Sequence, residues 1–241
     1  MFLGEATIPD GQRVYAIGDV HGRLDLLEQM LGVIDADIAA SPASQPTIMF
    51  LGDYVDRGPN SSGVVDRLVS LADDPRHVML RGNHDQRLQD FVDDADIDGE
   101  AFLYWGGLAT VASYGVDVTG EHTPQVLSRE LARVFPPRHR RFLQNLPYCH
   151  TIGDYFFVHA GVRPGVPLDA QDSHDLMWIR RDFLVHQGSF GKVIIHGHTP
   201  VDWVDAQPNR INVDTCAYDS GVLSCVVLEG NKWRSLHAEL A

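Results

Sequence analysis

The chain has 241 residues, at the upper end of what one domain holds, and a hydrophobic fraction of 44%, ordinary for a globular protein. With 19 Lys and Arg against 33 Asp and Glu, the net charge of −14 argues against nucleic-acid binding. No apolar run approaches the ~20 residues of a membrane span. The opening Met1-Phe2-Leu3-Gly4-Glu5 lacks the basic and apolar regions of a signal peptide, so none is expected. Cys149, Cys216 and Cys225 show no metal-type spacing, and free thiols in a reducing cytoplasm are the expected state.

In chain order, Arg13–Ile17 reads as a strand. Leu24–Ala40 carries Leu24, Leu27, Leu31, Ile34 and Ile38 at helical spacing. The run 41–46 (Ser-Pro-Ala-Ser-Gln-Pro) reads as a loop and Thr47–Leu51 as the next strand. A helix follows over Ser61–Ala72, then a short strand over His77–Leu80 and a helix from Asp85. This β-α-β-α-β order is the signature of a layered α/β domain. Asp93–Phe135 is less regular, and we read it as a helical cap inserted into a single domain spanning 1–241. Within it, Phe102, Tyr104 and Trp105 suit either contact with a substrate or a satellite core. The basic run Arg138-His139-Arg140-Arg141 reads as a solvated helix face. Tyr148–Ile152 and Tyr155–Val158 flank Gly153-Asp154 as a tight hairpin. Val193–Ile195, Arg210–Val213 and Val222–Leu228 complete the expected strands.

Three glycine-bounded segments hold most of the chemistry: Gly18-Asp19-Val20-His21-Gly22, Gly52-Asp53-Tyr54-Val55-Asp56-Arg57-Gly58 and Gly82-Asn83-His84-Asp85. They supply carboxylates, an amide and imidazoles suited to divalent metals, and an Arg suited to phosphate. Each follows an apolar run, as do His159 and His198. All five therefore fall at the carboxyl ends of expected strands, the edge at which open α/β sheets bind ligands. A lone Asp-x-His is usually a turn; five such segments at one edge indicate a site.

These strings, with His159-Ala160-Gly161 and Gly197-His198-Thr199, occur in family order over residues 18–199. The chain thereby resembles the phosphoprotein phosphatase family of calcineurin-like metallophosphoesterases, in its bacterial and phage serine/threonine phosphatase branch. The resemblance implies a four-layer α-β-β-α sandwich. It implies that Asp19 and His21 hold one metal, that Asp53 bridges, and that Asn83, His159 and His198 complete the second. Manganese ranks first for this donor mixture, with iron or zinc also suitable. It further implies a metal-bridging hydroxide as nucleophile, Arg57 and Arg180 on the phosphoryl oxygens, His84 as general acid and Asp56 as its orienting carboxylate. Arg181 leaves the register of Arg180 open by one.

His196 and His198 compete for one ligand place; the match sets the ligand after Gly197, making His198 the ligand and His196 a packing or supporting residue. Pro200 stands where many metallophosphoesterases carry a further ligand His, which favours this branch. Asp214-Thr215-Cys216 departs from the usual Gly at its third place, and no motif marks Cys216 as a nucleophile. A serine/threonine protein phosphatase is the first functional expectation, supported by the intact Asp56-Arg57-Gly58. A symmetrical bis(5'-nucleosyl)-tetraphosphatase is the alternative. The expected partner is accordingly a phosphorylated protein or a nucleotide. A binding module that had lost the chemistry would lack ligands, and none is missing.

Overall fold

The computed structural model describes residues 1–41 and 45–239. Its strands are, in chain order, β1 (Gln12–Ile17), β2 (Gln45–Phe50), β3 (His77–Met79), β4 (Cys149–Ile152), β5 (Tyr155–Val158), β6 (Val193–His196), β7 (Asp205–Gln207), β8 (Arg210–Asn212), β9 (Val222–Glu229) and β10 (Lys232–Glu239). They form two five-stranded sheets, ordered β10-β9-β1-β2-β3 and β4-β5-β6-β8-β7. In the first, β1, β2 and β3 run parallel, while β9 and β10 pair antiparallel. In the second, β5, β6 and β8 run parallel between antiparallel edges.

Alternation along the strands explains the layering. Side chains of period two point to opposite faces of a sheet. Val14 and Ala16 of β1 and Met49 of β2 meet Tyr155, Phe157, Val193 and Ile195 of the other sheet in one buried cluster. The intervening Tyr15, Ile17, Ile48 and Phe50 face a second cluster built from the helices α1 (Leu24–Ala40), α2 (Ser61–Leu71) and α3 (Asn83–Asp93). Phe156, Val158 and Ile194 pack outward against Leu176, Ile179 and Phe183. Both faces of each sheet are thus covered, giving the α-β-β-α sandwich, and the central strands read as unbroken apolar runs for that reason.

Four local expectations are corrected. Gln45 and Pro46 belong to β2, paired with Gln12 and Arg13 of β1, and not to a loop; residues 42–44 of that expected loop lie outside the described residues. β10, which sequence reading missed, adds an edge strand along the whole of β9. β7 was missed as well. The basic run lies in α7 (Pro137–Gln144), reached after α4 (Gly99–Phe102), a π-turn over Leu103–Gly107, α5 (Leu108–Ser113) and α6 (Pro124–Val134). It is not simply a solvated face. His139 is buried, with Nε2 at 2.6 Å from Asp66 Oδ1, while Tyr114 Oη donates to its Nδ1 at 2.9 Å. Arg138 and Arg140 pair with Asp66 and Asp93, exposed pairs that each contribute well under about 1 kcal/mol.

The inserted stretch 93–135 packs onto the domain. Phe102, Leu127, Leu131 and Phe135 join the helix-side core of the first sheet, with Phe102 stacked on Phe91 at 4.4 Å. Truncating so deeply buried a Phe costs about 3–5 kcal/mol, so Phe102 serves the fold. Within this stretch the π-turn leaves two large rings outside, with Tyr104 80% and Trp105 49% exposed. Among the described residues, no helix is long and apolar enough to cross a membrane.

Candidate active site

The chemistry-bearing side chains follow strand ends: Asp19 and His21 after β1, Asp53 to Arg57 after β2, Asn83 and His84 after β3, His159 after β5 and His198 after β6. The loops that carry them are tightly bent. His21, Asp53, Asp56, Arg57, His198 and Cys216 all adopt positive φ, and among the described residues only Asp98 shares this outside the site. Left-handed backbone costs a non-glycine residue roughly 1 kcal/mol or more and persists where the surroundings enforce it, so this clustering marks a functional edge.

Asp85 does much of the enforcing. It stands at the third position of α3, and its carboxylate accepts the backbone N–H groups of Gly82 at 2.9 Å, Asp53 at 2.8 Å and Tyr54 at 2.9 Å. Each such bond contributes about 0.5–1.5 kcal/mol, and together they let Asp85 tie the second and third motifs. Gly82 is required at this junction because a Cβ there would run into Asp53.

Two clusters share Asp53. One ligand atom each of His21, Asp53 and His84 lie within 4.8 Å of one another, and so do those of Asp53, His159 and His198. His21 donates from Nδ1 to the Val55 carbonyl at 2.7 Å, leaving its Nε2 lone pair 3.6 Å from Asp53 Oδ2. His159 donates from Nδ1 to the Leu51 carbonyl at 3.0 Å. Its Nε2 then faces Asn83 Oδ1 at 2.9 Å, His198 Nδ1 at 3.2 Å and Asp53 Oδ2 at 3.4 Å. With His198 as its Nε2–H tautomer all four atoms are acceptors, which repel one another unless a proton or a cation stands among them. A proton on either imidazole or a divalent cation satisfies this. The donor set, two oxygens and two imidazole nitrogens, fits the cation. Asp19 lies outside both three-residue groups; its buried carboxylate accepts the His198 N–H at 3.1 Å.

The titration behaviour follows from this crowding of charge. Burial raises the Asp53 pKa, but the His159 and His84 imidazoles outweigh it and hold the carboxyl well below its usual range. Burial, reinforced by Asp214, pushes Asp19 well up. Burial lowers His159, yet Asp53 and then Asp19 prevail and hold it up at about 9. Asp53 is therefore the anionic centre of the site.

Beside the clusters lies a buried imidazole–carboxylate pair. His84 Nδ1 sits 2.7 Å from Asp56 Oδ2, which fixes the Nδ1–H tautomer and leaves Nε2 to take and give a proton. Arg57 Nη2 is 3.3 Å from that Nε2, and the guanidinium lies over the Tyr218 ring at 4.7 Å. The Arg57 N–H donates to the Gly106 carbonyl of the π-turn at 3.1 Å, which puts Tyr104 and Trp105 beside Arg57 in the chain turn that overhangs it. Arg180 is exposed, and its charge is felt at His198. Its side chain has no hydrogen-bond partner among the described residues, which leaves it available to an anion. The structure thus brings Asp53, Asn83, His159 and His198 into one group, His21 and His84 into the adjoining one, and Asp56, Arg57 and Arg180 to its rim. His196 is buried edge-on against Phe183, a packing position.

Sequence reading missed the wiring. Asp85 carried a signal, since an acidic residue three places after a helix N-cap is a capping signature. Thr110, whose hydroxyl reaches Asp56, carried none, because it lies 54 positions away in an irregular helical stretch. Tyr218 and Trp178, edge-on to His21 at 5.4 Å and His198 at 6.2 Å, were likewise unmarked.

Known proteins resemble this chain in sequence and in fold. The asymmetrical bis(5'-nucleosyl)-tetraphosphatase PrpE of Anoxybacillus flavithermus is 26% identical over 231 residues, covering 87% of this chain and 88% of that protein. A symmetrical bis(5'-nucleosyl)-tetraphosphatase of Dechloromonas aromatica is 32% identical over 150 residues, covering 62% of this chain and 44% of that protein. A solved structure provisionally described as a diadenosine tetraphosphatase superposes with a TM-score of 0.67 at 22% identity, covering 98% of this chain and 100% of that one, a likeness of fold. The family model described as "Calcineurin-like phosphoesterase" matches residues 12–226. With that match spanning nearly the whole sandwich and both His/Asp clusters, the chain belongs to the calcineurin-like phosphoesterase family, and it is a metallophosphoesterase.

Proposed function

We propose that this phosphoester hydrolase acts on dinucleoside polyphosphates. The observation that carries the reading is the exposed Tyr104–Trp105 pair, edge-to-face at 5.2 Å, on the turn that holds Arg57. Stacking on a solvated aromatic ring suits a nucleobase whose phosphates reach the arginine. The tetraphosphatase names of the two relatives support the same substrate class. The serine/threonine phosphatase expectation, and with it the narrower phage and bacterial branch, finds no such support in those names. The runner-up expectation of a symmetrical cut also shifts: the likeness that extends over most of both chains is to an asymmetrical enzyme, so unequal products are expected.

The family implies a dinuclear divalent-metal site. In our reading Asp19, His21, Asp53, Asn83, His159 and His198 hold the two ions, and manganese ranks first with iron or zinc next. When bound, such ions supply Lewis-acid charge and lower the pKa of water. Around them, Arg57 and Arg180 bind phosphoryl oxygens against the chain's overall acidity. His84 delivers a proton from Nε2 to the departing oxygen, and Asp56 holds the ring in place.

The purified protein supplied with manganese, offered diadenosine tetraphosphate and a phosphoserine peptide, tests the substrate. The dinucleotide is expected to show the higher kcat/KM and to give unequal nucleotide products; a peptide preference contradicts the proposal. The double variant Tyr104→Ala/Trp105→Ala is expected to lose about 10- to 100-fold on the dinucleotide, the scale of one base stack, while p-nitrophenyl phosphate hydrolysis and Tm are retained. Equal losses on both substrates contradict the stacking role.

A further inference from the structure

Asp56 is fully buried, yet no Lys or Arg side chain pairs with it among the described residues. Its two carboxylate oxygens have one donor each. Oδ2 takes His84 Nδ1 at 2.7 Å, and Oδ1 takes the Thr110 hydroxyl at 2.6 Å. Thr110 lies in α5 and is itself fully buried. Its Oγ1 also accepts the Asp56 backbone N–H at 2.8 Å and lies 2.9 Å from Ser61 Oγ. Ser61 Oγ in turn accepts the same Asp56 N–H at 3.0 Å. The consistent arrangement of protons is a one-way chain: Ser61 donates to Thr110, Thr110 donates to Asp56, and His84 donates to Asp56. Asp56 sits at φ +71, so its backbone needs support as well as its side chain.

We propose that Thr110 is a positioning residue for the proton donor, acting through Asp56 on His84. This rests on the acid role given to His84 above. Without the hydroxyl, Asp56 Oδ1 is left buried and unpaired, and the carboxylate turns to find another donor. The imidazole bonded to its other oxygen then loses its fixed direction towards the leaving oxygen. The segment that carries the exposed aromatic pair is thereby joined to the residue that gives the proton. Gly106 holds the Arg57 N–H from the same segment, and Ser113 accepts the Ser62 N–H at 3.1 Å, so the connection is made at three points. A purely structural hydroxyl would instead affect all substrates alike.

Thr110→Val keeps the shape and removes the donor. The test measures kcat and KM on phenyl phosphate, which needs protonation of its leaving group, and on p-nitrophenyl phosphate, which hardly does. The expected result is a kcat loss of about 10- to 100-fold on phenyl phosphate, the scale lost when a partner orienting an imidazole is removed. On p-nitrophenyl phosphate little loss is expected, and KM should hold on both. Thr110→Ser should restore the phenyl phosphate rate. Equal losses on the two esters, no loss, or failure of the serine to restore the rate would overturn the proposal. Should Thr110→Val not fold, Ser61→Ala carries the test, with a smaller loss of the same leaving-group dependence expected and a uniform loss overturning it. His84→Asn measured alongside separates the two claims. If it is leaving-group dependent while Thr110→Val is not, the role of Thr110 falls alone; if neither is, the acid assignment falls with it.

Discussion

Asp53→Asn is expected to abolish turnover and to lower metal content at both ion sites. Asp53 is the one residue common to the His21–His84 group and the His159–His198 group. Its Oδ2 lies 3.6 Å from His21 Nε2 and 3.4 Å from His159 Nε2, while Oδ1 accepts the His84 N–H at 2.9 Å. The imidazoles around it keep it anionic despite its burial. An amide keeps the shape and one acceptor but removes the charge that neutralises two cations. Loss of a single electrostatic element in an active site typically costs about 10²–10³ in rate, and loss of the shared ligand should exceed that. Metal analysis of the purified variant, with a thermal melt to show that it is folded, checks the prediction. Two ions per chain with near-normal turnover would contradict the bridging assignment.

His84→Asn should fail differently. His84 is bonded through Nδ1 to Asp56 and presents Nε2 beside Arg57. Its neighbour Asn83, and not His84, belongs to the assigned ligand set, so metal content should stay near wild type. The kcat on phenyl phosphate should fall by about 10²–10⁴, the contribution of a positioned general acid. The loss should shrink on p-nitrophenyl phosphate. On a dinucleoside polyphosphate the leaving group is itself a phosphate, about as weakly basic as p-nitrophenolate, so a similarly small loss is expected. Equal losses on all substrates, or a loss of bound metal, would place His84 among the ligands instead.

The parts of this molecule that were legible in its sequence share a physical reason. α1 spans Leu24–Ala40 as its apolar spacing predicts, because one face of it is buried against the first sheet. β1 and β2 are covered on both faces and so read as apolar runs. The convergence of five motif-bearing segments was legible because parallel strands deliver their carboxyl ends to one edge. β10 was not legible: its sequence KWRSLHAE buries only Ala238 fully, and its pairing with β9 supplies what its pattern lacks. Pro46 suggested a loop, yet a proline near the start of a strand loses little ladder bonding. Within the site, the ligand candidates announced themselves by motif, whereas Thr110, Tyr218 and Trp178 arrive through packing of segments distant in the chain. The roles of Tyr104 and Trp105 could not be separated from that of Phe102 by sequence, since only burial distinguishes a ring that stacks on Phe91 from two that face solvent.

The central claim is that six side chains on five loops hold two divalent ions around Asp53. Anomalous diffraction from crystals of the protein loaded with manganese, collected on either side of the metal absorption edge, tests it most directly. Two peaks are expected, both in contact with Asp53, one also beside Asp19 and His21 and the other beside Asn83, His159 and His198. A single peak, or peaks that leave Asp53 uncoordinated, would contradict it.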